Sequence, residues 1–282
     1  MKLQHDLGEY MIQPHLLTLL RCLNCTGELV AQTDDVLCTA CNAHYPVSEG
    51  VLCMTPGNLG AQAGDEEKLA EQRTRDAQSA QYDRMLAWHL PSRMEIPRML
   101  ALLGQGHDAI LEVGAGTGRM SRSLARRCRR LVAVDLSLAS LQRNRRTLMT
   151  DNLADNVLHL QADATALPVR SAAFQAGFSA QLLEHLPLAD LREALVRSLS
   201  QAVAPGGPLV LSAYLWSWMY RMMGPREGHH PGGIYYYRYT VDEMRDLLQR
   251  NYGAVDYAAP HWQYLVIARA HNRLGRDERS SA

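Results

Sequence analysis

The stretch Leu111-Glu-Val-Gly-Ala-Gly-Thr-Gly-Arg119 does most to restrict what this chain can fold into. The apolar run Ala109-Ile110-Leu111 leads into an acidic residue, Glu112, and glycines follow at alternate positions, Gly114, Gly116 and Gly118. A segment of helical character, 120–128, comes next. Strand, tight glycine turn and helix start, in that order, let a backbone approach a nucleotide-sized ligand closely. From Asp108 onward the pattern alternates. Strands are predicted over 109–113, 131–135, 157–161, 174–179 and 208–213, and helices over 118–128, 137–149 and 187–203. That rhythm is α/β, a doubly wound and mainly parallel sheet. A helix over 240–250 and strands over 254–259 and 264–270 complete it. Ahead of it, 82–103 reads as one or two amphipathic helices interrupted at Pro91 and Pro97.

The chain has 282 residues, enough for one large domain and a small one, and 47% hydrophobic content supports a substantial core. The formal net charge is zero, so no global field favours nucleic acid or an anionic membrane. No segment reaches the roughly 20 apolar residues of a membrane helix, and the N-terminus lacks a basic-then-apolar signal pattern. A cytoplasmic protein is expected. Arginines cluster from Arg119 to Arg130 and at Arg143, Arg145 and Arg146. They read either as a phosphate grip or as solvated outer faces of helices, and the second is favoured.

Six cysteines are present, four of them in metal-type spacing: Cys22-x2-Cys25 and Cys38-x2-Cys41, twelve residues apart. Two such knuckles supply four thiolates, a closed tetrahedral shell for a structural zinc. Such a shell has no open position for Lewis-acid chemistry. His44 is an alternative fourth ligand, and Cys53 reads as a buried apolar residue. This segment, roughly 15–55, resembles the small zinc-binding subunit that activates several tRNA and release-factor methyltransferases. It also resembles the zinc head of a bacterial 23S rRNA guanine methyltransferase.

The glycine loop admits two ligands. A dinucleotide fold wants G-x-G-x-x-G, but here the third glycine comes one residue early and Arg119 stands where that pattern needs glycine. Glu112 would repel a pyrophosphate, yet it suits the ammonium of a methionine moiety. The balance favours S-adenosylmethionine over NAD, and leaves a dehydrogenase as the weaker reading.

Four segments in order then resemble the class I S-adenosylmethionine-dependent methyltransferases: 112–118, 132–137, 161–168 and 178–186. The resemblance implies a Rossmann-like, mainly parallel seven-stranded sheet with the cysteine module as a small N-terminal zinc ribbon. It implies that Glu112, Gly114, Gly116 and Gly118 form the cofactor loop, and that Asp135, beside Leu136, binds both ribose hydroxyls. It places Asp163, with Ala164 beside it, at the adenine amine, and Gln181 near the methionine end. It offers Tyr82 as a residue covering that end. His185 is the candidate general base, since imidazole titrates near neutrality; read alone, Glu184-His185 is as readily a solvated or partly packed helix start. The segment 214–238, with His229, His230 and Tyr235-Tyr236-Tyr237, is expected on the acceptor side.

The expected organisation is a zinc ribbon over 1–56, a linker and polar helix over 57–81, a methyltransferase domain over 82–271 and a flexible tail over 272–282. The expected activity is methyl transfer to an oxygen, carbon or ring-nitrogen acceptor on a small molecule. The alternatives are an RNA methyltransferase that uses the zinc module for recognition, and a non-catalytic cofactor-binding scaffold whose zinc module recruits a partner. A homodimer is compatible with the sequence.

Overall fold

The computed structural model describes residues 12–55, 66, 68–77, 90–230 and 233–273. In chain order it opens with a single helical turn, α1 (Pro14–Leu17), and four short strands, β1 (Leu29–Ala31), β2 (Asp35–Cys38), β3 (His44–Ser48) and β4 (Val51–Cys53). A helix over 68–77, α2, follows, then α3 (Leu90–Leu103). The alternating part comprises β5 (His107–Val113), α4 (Ser121–Ala125), β6 (Cys128–Asp135), α5 (Leu138–Thr150), β7 (Val157–Gln161), β8 (Ala176–Ala180), α6 (Ala189–Ala202) and β9 (Pro208–Tyr214). A one-turn helix, α7 (Trp218–Met223), leads to a hairpin, β10 (Glu227–His229) and β11 (Tyr235–Tyr237). The chain closes with α8 (Val241–Asn251), β12 (Gly253–His261) and β13 (Leu265–Asn272).

The seven strands expected of the sheet are present in the order β7-β6-β5-β8-β9-β13-β12. The first five run parallel, and β13 lies antiparallel between β9 and β12. Side chains alternate as the pleat requires. Along β6, Val132 and Val134 join a core with α6 and α8, while Leu131 and Ala133 face α3, α4 and α5 on the other side. Helices thus cover both faces.

The cysteine segment is not a separate head. Its last strand, β4, pairs in parallel with β7, so that β1 to β4 extend one sheet to eleven strands. Leu16, Leu20, Val36 and Tyr45 share the core of Leu158 and Leu160. Arg21 N–H donates to Pro168 O and Arg170 N–H donates to Leu19 O, which ties the segment to the loop after β7.

Two predicted boundaries differ. The helix expected over 118–128 shrinks to α4, because Gly118 is left-handed (φ 97°) and Cys128 already begins β6. Pro97 does not interrupt α3, which runs through it. Pro91 sits in the first turn, where an amide donor has no helical partner to lose. Among the described residues no helix is long and apolar enough to cross a membrane.

Candidate cofactor cleft and cysteine cluster

The chain proceeds outward from β5 through β6 to β7, then crosses back to β8 on the other side of β5. At such a reversal the loops leaving the strands diverge and open a crevice at their C-terminal ends. One cleft lies there. It is lined by Glu112, Gly114, Gly116, Asp135, Leu136, Asp163, Ala164, Gln181 and His185, together with Lys68, Glu71 and Arg75 from α2.

Gly114, Gly116 and Gly118 all have positive φ (80°, 51° and 97°), a region L side chains rarely enter. Their roles differ. A Cβ on Gly114 would meet Leu182 Cβ at 2.9 Å, whereas Gly116 faces open space at the cleft. Gly118, expected to touch the cofactor, is not part of the cleft wall. A Cβ there would collide with the amide of Asn144, so this glycine lets the loop pack on α5.

Asp135 ends β6 with both oxygens oriented. Gly116 N–H donates to Oδ2 at 2.8 Å, and Ser137 N–H donates to Oδ1 at 2.9 Å. Glu112 is almost wholly buried, and its Oε2 accepts from Ser121 Oγ at 2.6 Å, which in turn accepts from Asn144 Nδ2. Burial pushes the Glu112 carboxyl up to about 8, against the downward pull of Ser121 and Arg119. Gln181 takes a left-handed backbone (φ 54°), an uncommon conformation that recurs at functional sites.

The opposite wall was not legible in the sequence. Lys68, on the segment read as linker and polar helix, is 7% exposed and donates to Asp163 Oδ2 at 2.8 Å. Asp163 Oδ1 accepts from Thr165 N–H and Oγ. Both oxygens of the residue expected at the adenine amine are therefore engaged. Asp76 on the same helix accepts from Ser137 Oγ and Ala139 N–H, which fastens α2 across the cleft. Glu71 pairs with Arg75 at 3.5 Å, and burial raises its carboxyl to about 7.

Glu95 on α3 was also missed. It is fully buried and accepts from Arg119 Nη1 (2.7 Å), Gln181 Nε2 (2.7 Å) and Ser212 Oγ, so it fixes two cleft residues from behind. A lone acid between Met94 and Ile96 was the available signal. Arg119 accordingly belongs to the cleft and not to an outer arginine face. Arg122 and Arg146, on α4 and α5, pair with Asp151 and Glu49 as solvated helix faces do, and Arg130, on β6, pairs with Asp108 on β5.

Glu184 and His185 do not form a solvated helix start. They are 0% and 6% exposed in a 3-10 turn behind β8. Among the described residues Glu184 has no hydrogen-bond partner on either carboxyl oxygen, and burial raises it well above the usual carboxylate range. His185 Nδ1 donates to Tyr235 O at 2.8 Å. Burial first, and Arg75 second, lower its imidazole well below the ordinary value, so it is neutral at pH 7. Its ring meets Tyr214 and His230 at centroid distances of 5.8 and 6.0 Å. Tyr82 lies outside the described residues.

The four cysteines expected to ligate metal converge: all four Sγ atoms lie within 4.8 Å of one another. Cys22 and Cys41 are 3.6 Å apart and Cys25 and Cys38 3.5 Å, close to the edge of about 3.8 Å that a tetrahedral zinc–thiolate shell requires. The donor set fits zinc. Tyr45, which the spacing argument did not reach, accepts from Leu23 N–H at 3.0 Å and is thereby turned to donate to Cys22 Sγ, also at 3.0 Å. His44 is outside the cluster and pairs with Asp35 at 2.6 Å. Cys53 is half-buried on β4.

Residues 110–207 match a methyltransferase domain. That span begins in β5 and ends just before β9, and it contains the glycine loop, Asp135, Asp163, Gln181 and His185. The chain is 35% identical over 126 residues to a carboxy-S-adenosyl-L-methionine synthase from Pseudomonas entomophila, covering 42% of this chain and 49% of that protein. It is 27% identical over 131 residues to a probable cobalt-precorrin-6B C(15)-methyltransferase (decarboxylating) from Methanothermobacter thermautotrophicus, covering 44% of this chain and 63% of that one. The chain spans about half the length of the synthases it matches. The fold resembles that of a Burkholderia thailandensis 1,6-didemethyltoxoflavin N1-methyltransferase solved with its acceptor and S-adenosylhomocysteine. The TM-score is 0.62 at 16% identity, covering 75% of this chain and 91% of that one.

Proposed function

We propose that the chain is an S-adenosylmethionine-dependent methyltransferase that acts on an oxygen, carbon or ring-nitrogen atom of a small molecule. The observation that carries this reading is the Asp135 carboxylate. Each of its oxygens accepts one backbone donor and keeps a further acceptor direction free. Two such oxygens side by side at a strand end suit a vicinal diol, as in a ribose.

Glu112 lines the cleft with Oε2 held by Ser121, and among the described residues no hydrogen bond is made to Oε1, which would take an ammonium group. Gly116 leaves the loop flat where a nucleoside would lie, and Gln181 borders the same cleft. Asp163 would exchange Lys68 for an adenine amine. When bound, the cofactor supplies an activated methyl on a sulfonium. His185 is the base of this proposal: its Nδ1 is committed to Tyr235 O, so its Nε2 carries the lone pair. Arg119 and Gln181 are positioned through Glu95 and need not move on binding.

The test is calorimetry with S-adenosylhomocysteine, followed by labelled S-adenosylmethionine offered with small-molecule, protein and RNA extracts. Micromolar binding and label in the small-molecule fraction are expected. A folded protein that binds neither compound refutes the proposal, label in RNA moves the acceptor there, and binding without turnover on any fraction favours a scaffold.

For the cysteine cluster we assign a structural zinc held by Cys22, Cys25, Cys38 and Cys41. Metal analysis is expected to find one zinc per chain, and Cys22→Ser or chelation to lower the melting temperature, since metal affinity is linked to folding. A metal-free chain with an unchanged melting curve refutes it.

A further inference from the structure

We propose that a second cavity beside the cofactor cleft is the acceptor subsite, and that it receives a planar heterocycle whose reacting ring nitrogen arrives as N–H. The proposal rests on the methyltransferase reading above and names the acceptor class for it. The cavity is bounded by Glu66, Ala70 and Glu71 on the α2 side and by His229 and Tyr235 of the β10–β11 hairpin. His185 and Glu71 line both this cavity and the cofactor cleft, so an acceptor held here adjoins the donated methyl.

Three observations define the occupant. First, His185 is nearly buried, its Nδ1 is used by Tyr235 O, and among the described residues no hydrogen bond is made to its Nε2. The free atom is a proton acceptor at the junction of the two cavities.

Second, among the described residues the charged side chains lining the cavity are Glu66 and Glu71, with no lysine or arginine. Arg75 holds Glu71 at 3.5 Å and lines the cofactor side instead. A carboxylate or phosphate acceptor would enter against like charge, whereas N–H donors find acceptors on that wall.

Third, the hairpin wall is built of rings and is held still. His229 and Tyr235 lie edge to face at 5.7 Å. The Tyr235 hydroxyl is fixed between Glu227 Oε2 (2.7 Å) and Arg192 Nη2 (3.1 Å). Rigid ring faces suit a flat ligand.

The step balances without any further reactant. The ring N–H gives its proton to His185 Nε2, and the nitrogen lone pair takes the methyl. An N–C bond forms, and the C–S bond breaks with its electron pair remaining on sulfur. Glu66 and Glu71 accept from the other donors of the ring system and set which nitrogen faces His185.

The experiment uses the full chain saturated with S-adenosylhomocysteine and three probes of similar size: benzimidazole as its 2-oxo derivative, whose two ring N–H donors serve His185 and Glu66 together, 4-methylphenol and benzoate. Binding is read by saturation-transfer NMR. Benzimidazole is expected to bind at least about tenfold more tightly than 4-methylphenol, with no binding of benzoate. Glu66→Lys is expected to weaken benzimidazole about tenfold and admit benzoate, and His229→Ala to weaken benzimidazole, with S-adenosylhomocysteine affinity held within about twofold in both. His185→Gln is expected to keep benzimidazole binding and lose its methylation by labelled S-adenosylmethionine. Equal binding of phenol or benzoate, or indifference to Glu66→Lys, overturns the subsite. Binding of S-adenosylhomocysteine without benzimidazole overturns the subsite alone, and failure to bind S-adenosylhomocysteine overturns both readings.

Discussion

The two walls of the cofactor cleft are made in different ways. One is built from strand ends and backbone: the glycine turn after β5, Asp135 closing β6 and Asp163 just past β7. The other is the single helix α2, which reaches across and is fastened by side chains, Lys68 to Asp163 and Asp76 to Ser137. The first wall inherits its geometry from a sheet core in which Leu111, Val132 and Val134 are wholly buried. The second depends on a few ionic contacts, each exchangeable for a ligand or for water. A donor site whose shape lies in the first wall and whose closure lies in the second should respond very unequally to substitutions in the two.

The largest effect is expected from Asp135→Ala. It removes two charge-assisted bonds to the ribose, of about 1.5 kcal/mol or more each, and so weakens S-adenosylhomocysteine about 100-fold by calorimetry. A loss under about fivefold would place the nucleoside elsewhere. Next is Gly118→Ala, which forces a side chain into a left-handed position against Asn144. A lower melting temperature and about tenfold weaker binding are expected, with no lost cofactor contact, because the strain is about 1–2 kcal/mol and distorts the turn. Unchanged melting would show that the turn is not braced by α5.

The pH dependence sharpens the same contrast. Glu112 is raised to about 8 by burial, so it is mostly protonated at pH 7 in the empty cleft. An arriving ammonium favours its ionised form, so binding below pH 8 releases a proton and affinity increases with pH until about 8. About a tenfold weakening between pH 8 and pH 6 is expected, with heats that vary with buffer ionisation enthalpy. A flat profile would remove Glu112 from the ammonium site. The smallest effect belongs to the helical wall. Lys68→Ala frees Asp163 for the adenine amine and is expected to tighten S-adenosylhomocysteine about threefold. A tenfold loss would instead make α2 part of the donor site proper.

What was legible in the sequence follows the same division. Strands β5, β6 and β9 announced themselves by their apolar runs; Glu112 and Asp135 close β5 and β6, and Asp163 and Gln181 follow β7 and β8 at short range. Lys68, Glu71 and Arg75 sat in a charged stretch whose composition is that of a solvated helix. Nothing local distinguishes a buried ion pair from an exposed one, because the partner is almost a hundred residues away in Asp163. The pairing of β4 with β7 was equally hidden: Val51-Leu52-Cys53 reads as the end of a small module, and a parallel partner is fixed by global topology. The same distance effect made Arg119 look like one member of an arginine cluster until Glu95 was in view.

The β4–β7 pairing also bears on how this protein can be dissected. Strand β7 would otherwise be the outermost strand of the sheet, and the metal-site segment covers it with Val51 and Leu52, both fully buried. A fragment beginning at residue 57 would leave that strand with an open row of amide donors and carbonyl acceptors beside uncovered apolar side chains. Such a fragment would present a template for strand addition and is expected to self-associate. Through the proposed zinc, the cysteines would hold in place the strand that keeps the sheet from growing.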